Sequence, residues 1–331
     1  MLEPRPFSTG SVAARIGVIF NPGSGANLKS PDAMRRVLDA HPDIPYCNVS
    51  DPDSVARALD ELAAHDVNIV AISGGDGTVH AVISTLLNRN PFPQLPLLAI
   101  LHSGTTNMTA GDIGYRGRPH RALKCLIRRA TGDAEGLHIL RRHIICVNPG
   151  AGRAPLYGMF FGAAAICQGI EYCRGKVHRV GLRGEIGPGV AMLRFALAMA
   201  RGERDIVSPV TVGVSMDGSP VLTSECEIFH VTTLKRLFLG LRPFWGKEDA
   251  PLHFSCVRAH PRHWVRALPG LLRGKINRFM TPENGYISHN VRRLELRFDG
   301  YFTVDGEIFA TAPDTPLVLT DGGTLDFVRL T

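Results

Sequence analysis

A chain of 331 residues with 44% hydrophobic side chains is a folded protein, and it is long for one core, so two units are expected. Its formal charge of +7 and isoelectric point near 9.2 point to acidic partners: nucleotides, nucleic acid or an anionic membrane surface. The weakly polar run at 156–170 is broken by Gln168 and Gly169 and falls short of the ~20 apolar residues a spanning helix needs. Residues 1–10 lack an apolar signal core, so a cytoplasmic location is expected. The seven cysteines form no CxxC pair and no zinc spacing, and read as reduced, mostly buried thiols.

In chain order, an apolar run at 16–20 reads as a strand and ends in Asn21-Pro22-Gly23-Ser24-Gly25. Helical periods follow at 32–40 and 55–64. A strand at 68–72 then runs into Gly74-Gly75-Asp76-Gly77-Thr78 and a helix at 79–87. Another strand at 97–101 precedes Ser103-Gly104-Thr105-Thr106-Asn107, and a helix at 118–130 closes this part. Short apolar runs alternating with helical periods predict a Rossmann-like parallel α/β domain over 11–141. The glycine turns all sit at strand C-termini, where open α/β sheets bind ligands.

From 142 to 331 the pattern becomes β-rich, with strands expected at 143–147, 210–216, 227–232, 252–259, 293–298 and 301–304 and one helix around 190–201. Period-two alternation with turns at Asp217-Gly218, Asp299-Gly300 and Asp305-Gly306 predicts an antiparallel β-sandwich as the second domain. The chain end either stays there or returns to the first domain.

Glycine lets backbone N–H groups approach an anion closely, and a helix starting after the turn adds its positive end, so the three turns describe a polyphosphate site. Only the middle turn carries a carboxylate. Asp76 would repel bare phosphate oxygens, which makes Mg²⁺ shared with the phosphates its expected partner. No GxxxxGK[ST] P-loop is present, and neither Asn21-Pro22-Gly23-Ser24-Gly25 nor Gly74-Gly75-Asp76-Gly77-Thr78 fits the dinucleotide GxGxxG spacing.

These segments resemble the NPxSG, GGDGT and GTxN segments of the diacylglycerol kinase catalytic family, which includes bacterial lipid kinases, sphingosine kinases and ceramide kinases. The resemblance covers most of the chain. It implies ATP as phosphoryl donor with Mg²⁺, and a nucleotide cleft lined by Asn21, Pro22, Gly23, Ser24 and Gly25 and by Gly74, Gly75, Asp76, Gly77, Thr78, Val79, His80 and Ala81. Thr105 and a polar residue near Ser50 complete that set. The late Asp305-Gly306-Glu307 matches the family's DGE, whose glutamate is the proposed base; this assigns Glu307 to the acceptor hydroxyl proton and Asp305 to the turn or a water network. Read alone, the same segment is a hairpin corner.

Two positions depart from the family pattern. Met108 stands where many relatives carry Asp, with Asp112 four residues on as the candidate replacement. Ala81 stands where relatives often have Glu, beside His80, which either touches phosphate or caps the helix start.

The function expected is ATP-dependent phosphorylation of the primary hydroxyl of a ceramide- or diacylglycerol-type lipid. The alternatives are an NAD-kinase-like enzyme acting on a soluble substrate, which shares GGDGT, and a non-catalytic nucleotide- or lipid-binding regulator. A lipid partner implies peripheral contact with a membrane. The segment 262–275 interleaves cations with apolar residues, and either sits at a bilayer with Trp264 at headgroup level or turns its leucines inward. The small residues of Phe161-Gly162-Ala163-Ala164-Ala165 either admit an acyl chain or allow close strand packing. Nucleic acid is not an expected partner, and a homodimer stays open.

Overall fold

In a computed structural model the described residues are 5–6, 13–104, 108–114, 117–132, 137–172, 194, 197–198, 201, 203, 207–312 and 314–330. The chain divides into two compact units, Met1–Arg142 with Thr324–Thr331, and His143–Gly323.

The first unit runs β1 (Arg5–Pro6), β2 (Ile16–Phe20), α1 (Gly25–Lys29), α2 (Pro31–Asp39), β3 (Tyr46–Asn48), α3 (Pro52–Ala64), β4 (Ile69–Gly74), α4 (Asp76–Arg89), β5 (Leu97–His102), α5 (Met108–Ile113) and α6 (Pro119–Ala130). Its sheet is parallel in the order β3-β2-β4-β5. Every residue of β2 and β4 is buried, as strands covered on both faces require. On one face Val18, Phe20 and Ala71 share a core with Met34 of α2 and Leu123 and Leu126 of α6. On the other face α3 comes so close that a Cβ on Gly17 would lie 2.7 Å from Leu62 and 2.9 Å from Val67. The start of α3 is fixed by a capping box: Asp51 accepts the Ser54 N–H at 2.8 Å, and Ser54 Oγ accepts the Asp51 N–H at 3.1 Å.

The chain passes through β6 (His138–Asn148) into the second unit, which continues β7 (Leu156–Gly158), β8 (Phe160–Ala164), α7 (Ala165–Tyr172), β9 (Val210–Met216), β10 (Leu222–Thr232) and β11 (Leu252–Arg258). Then come α8 (Trp264–Arg273), β12 (Tyr286–Val291), β13 (Arg293–Arg297), β14 (Tyr301–Val304), β15 (Glu307–Ala310) and β16 (Leu317–Arg329). The start of β10 pairs antiparallel with β9, while its end lies between β8 and β11. A bulge between Cys226 and Ile228 marks the change, as expected where one strand serves two sheets. Val212, Leu294 and Leu317 of β9, β13 and β16 and Phe161, Phe254 and Phe302 of β8, β11 and β14 share a single core, so the continuous sheet folds over on itself. This is the expected antiparallel sandwich.

The last residues take the second of the two courses open to them: Phe327 pairs in parallel with Leu98 of β5, and Val328 and Leu330 enter the core shared with α2 and α6. The small residues of β8 serve close packing, because a Cβ on Gly162 would lie 2.9 Å from the Ile166 side chain and Ala163 is part of the sandwich core. In α8, Leu271 turns inward and Trp264 packs against the same apolar cluster, so Val265, Leu272 and Ile276 are the apolar side chains left facing out. The helix expected around 190–201 lies for the most part outside the described residues. Among the described residues no helix is long and apolar enough to cross a membrane.

His230 of β10 is fully buried and stacks on Phe160, with ring centroids 6.1 Å apart. Burial, reinforced by His253, pushes its pKa down from 6.5 to about 4. Above the unfolded value both states keep the ring neutral. As the pH falls towards the folded value, the unfolded chain takes up a proton that the folded chain excludes, and stability declines by roughly 3 kcal/mol. Urea unfolding at about pH 7 and about pH 4.5 will show a lower midpoint at acid pH. His230→Phe will reduce that acid-induced drop.

Candidate active site

Because β2, β4 and β5 run parallel, their C-terminal turns share one edge of the sheet. Asn21 ties two of those turns together: its N–H donates to the Ser73 carbonyl at 2.8 Å, its Oδ1 accepts the Gly23 N–H at 2.9 Å, and its Nδ2 donates to Thr78 Oγ1 at 3.0 Å. Beneath them lies Asn27, 2% exposed, whose amide donates to the Asn21 carbonyl at 2.8 Å and to the Ser73 hydroxyl at 3.0 Å. The Ser73 and Ser103 hydroxyls meet at 3.1 Å, and the Ala26 N–H donates to the Ser103 carbonyl at 2.8 Å. Asn27 and Ser73 brace the turns, and the sequence reading did not single them out. The available signal was a polar side chain closing an apolar run.

The glycines are set by close approach. A Cβ on Gly74 would overlap the Cβ of Thr78, and one on Gly75 would lie 3.4 Å from the Gly104 Cα, so two turns face each other at backbone level. Helix α4 begins at Asp76, three residues earlier than the apolar spacing suggests. Asp76 and Gly77 therefore belong to its first turn, where N–H groups have no partner within the helix and a carboxylate interacts favourably with the dipole. Asp76 Oδ2 also accepts the Met108 N–H at 3.3 Å, so Met108 contributes through its backbone.

The remaining candidates divide. Ser24 precedes α1 and donates its hydroxyl to the Asn21 carbonyl at 3.0 Å, with Pro22 in the exposed turn between them and Gly25 opening the helix. Val79 and His80 are 2% and 7% exposed, which places both side chains in the interior, and Ala81 follows them on α4. The cap of α4 is Gly75, without a side-chain hydrogen bond, so His80 does not cap the helix. Ser50 lies beyond β3 and donates its hydroxyl to Asp51 at 2.6 Å. That bond, with the Ser54 N–H, holds the Asp51 carboxyl below its usual range. Asp112 is no spare metal ligand: its carboxylate is 3.5 Å from Arg142 Nε, and both side chains are buried, so it neutralises an interior guanidinium. Thr105 lies outside the described residues.

In the second unit, Val304 pairs with Glu307, and the intervening Asp305 and Gly306 have φ of 47° and 93°. This is the two-residue turn with left-handed backbone at both positions that hairpins favour. The Asp305 carboxylate, 2% exposed, accepts the Phe160 N–H at 2.8 Å and the Met159 N–H at 3.1 Å. A Cβ on Gly158 would lie 2.5 Å from Asp305 Oδ2, so Gly158 leaves the space that this carboxylate fills. Asp305 thus pins the hairpin on which half-buried Glu307 opens β15.

Among the described residues no group of three or more His, Cys, Asp or Glu is set to hold a metal. A single carboxylate above a glycine-lined cradle fits Mg²⁺ taken mainly by phosphate oxygens and water, with Asp76 as the protein's share.

Residues 15–139 match the family model of the diacylglycerol kinase catalytic domain. The likeness to that family lies in this part of the chain. The "Probable lipid kinase YegS-like" protein of Stenotrophomonas maltophilia (strain K279a) is 40% identical over 81 residues, a stretch that is 24% of this chain and 25% of that relative's length. A diacylglycerol kinase structure from Bacillus anthracis str. Sterne shares the fold with a TM-score of 0.61 at 16% identity, covering 95% of this chain and 96% of its own. A second structure from that organism gives 0.62 at 18% identity, covering 95% and 97%.

The two acidic residues of this hairpin predict different failures. Asp305→Ala leaves two buried N–H groups without their acceptor and will lower unfolding stability by about 2–4 kcal/mol in urea titrations. Glu307→Gln will leave the unfolding midpoint close to that of the parent chain.

Proposed function

We propose that the protein is an ATP-dependent lipid kinase that phosphorylates the primary hydroxyl of a ceramide- or diacylglycerol-type lipid. The observation that carries this reading is the cradle of Gly75 and Gly104, facing each other at backbone level beside Asp76, within residues that match the family model of the diacylglycerol kinase catalytic domain. The backbone N–H groups of the glycine turns and the first turn of α4 hold the triphosphate. Mg²⁺, held by Asp76 when bound, supplies neutralisation of phosphate charge. Glu307 accepts the proton of the acceptor hydroxyl as its oxygen bonds to the γ-phosphorus, the β–γ bridging bond breaks, and ADP leaves with that bond's electrons.

A lipid acceptor has to be met at a bilayer surface. The exposed Val265, Leu272 and Ile276, interleaved with exposed Arg262, Arg266, Arg273 and Lys275, support such contact on and just beyond α8.

The test is label transfer from ATP in the presence of Mg²⁺ to ceramide, diacylglycerol, sphingosine or NAD presented separately in detergent micelles. Label is expected in ceramide or diacylglycerol, and Asp76→Asn and Glu307→Gln are each expected to reduce it by at least about a hundredfold. Label in NAD alone would exclude a lipid acceptor. ATP binding without transfer to any acceptor would favour a regulator.

A further inference from the structure

The first unit has a second concave site, at the end of the sheet remote from the glycine turns. It lies where β2 begins and is closed by α2, the segment leading into β3, the link between α3 and β4, and α6, enclosing about 570 Å³. Four cationic side chains line it, Arg15, Arg36, Lys124 and Arg128, against the single carboxylate of Asp43. The Arg15 guanidinium is occupied by the Asp66 carbonyl. Arg36, Lys124 and Arg128 are exposed, and no ion pair engages any of the three among the described residues.

Like charges gathered around a cavity repel one another unless an anion joins them. The repulsion is felt nearby: His120 on α6 is pushed below its ordinary pKa by burial first, and then by Arg118, Arg121, Lys124 and Arg36. Guanidinium and ammonium donors are the groups that recognise phosphate oxygens. The volume is that of a small-molecule pocket, larger than one inorganic phosphate fills. Val37, Ile44 and Ile127 add apolar wall, so the site can take a phosphate that carries an apolar substituent.

We propose that this cavity binds a phosphate-bearing anion, with Arg36, Lys124 and Arg128 as its donors. The site lies at the opposite ends of the strands from the glycine turns, and the inference does not depend on what those turns bind.

The experiment uses the full chain with its glycine turns saturated by Mg²⁺ and a non-hydrolysable ATP analogue. Calorimetric titrations then compare inorganic phosphate, dihexanoyl phosphatidic acid below its micellar concentration, and dihexanoylglycerol as the phosphate-free control. Binding of both phosphate compounds identifies a free-anion site; binding of the phosphatidic acid alone identifies a lipid-borne phosphate. In either case Arg36→Gln, Lys124→Gln and Arg128→Gln should each weaken binding by about tenfold, with Arg36→Lys closer to the parent. These side chains are exposed, and circular dichroism will confirm that the variants fold. The proposal is overturned if neither phosphate compound binds, if the three neutral variants weaken dihexanoylglycerol as much as the phosphatidic acid, or if they bind the phosphate compounds like the parent chain.

Discussion

Three chain reversals converge on one buried carboxamide. Asn27 holds the Asn21 and Ser73 carbonyls and the Ser73 hydroxyl, and Ser73 reaches Ser103, so the ends of β2, β4 and β5 form a single hydrogen-bonded assembly. Without it, Gly75 and Gly104 would have no reason to face each other, since neither has a side chain with which to hold the other. The cradle is thus made by polar groups that never face it. Leaving any one of them unpaired in the interior is costly, which is what makes the arrangement definite.

Two Asp-Gly pairs show how little a dipeptide determines alone. Asp76-Gly77 lies in the first turn of a 14-residue helix, with its carboxylate beside the Met108 N–H. Asp305-Gly306 has both φ values positive and its carboxylate buried against Met159 and Phe160. Context decides between them: an apolar helical period follows the first, and a strand pairing back on β14 follows the second. One aspartate opens a helix, and the other braces the hairpin that carries Glu307.

Much of this was readable from residue order. The strands β2, β4 and β5 are apolar runs that lead into glycine-rich turns, so their type and direction followed from residue order. The sandwich strands with clear alternation were equally plain. Other features were hidden for identifiable reasons. β3 is three residues long with only Cys47 buried, too short for a period to show. Asp321-Gly322-Gly323 has the composition of a turn, yet it continues β16, because Gly322 makes room for Cys146 and the Tyr157 ring, each about 3 Å from where its Cβ would be. The pairing of Asp112 with Arg142 and the reach from Asp305 to Met159 join residues 30 and 146 apart. No local pattern encodes such partners. The absence of a side chain at Gly158 is meaningful only once Asp305 is seen beside it.

The segment 324–331 belongs to the first unit although 181 residues of the second separate it from Arg142. During translation, the α/β sheet therefore waits with one flank unpaired and the apolar surface reserved for Val328 and Leu330 uncovered, until the ribosome has passed residue 330. The sandwich, whose residues are contiguous, also draws on the start of β16 and is complete only a few residues sooner. Vectorial synthesis thus leaves the earlier-made half with its apolar flank bare for most of the chain's production.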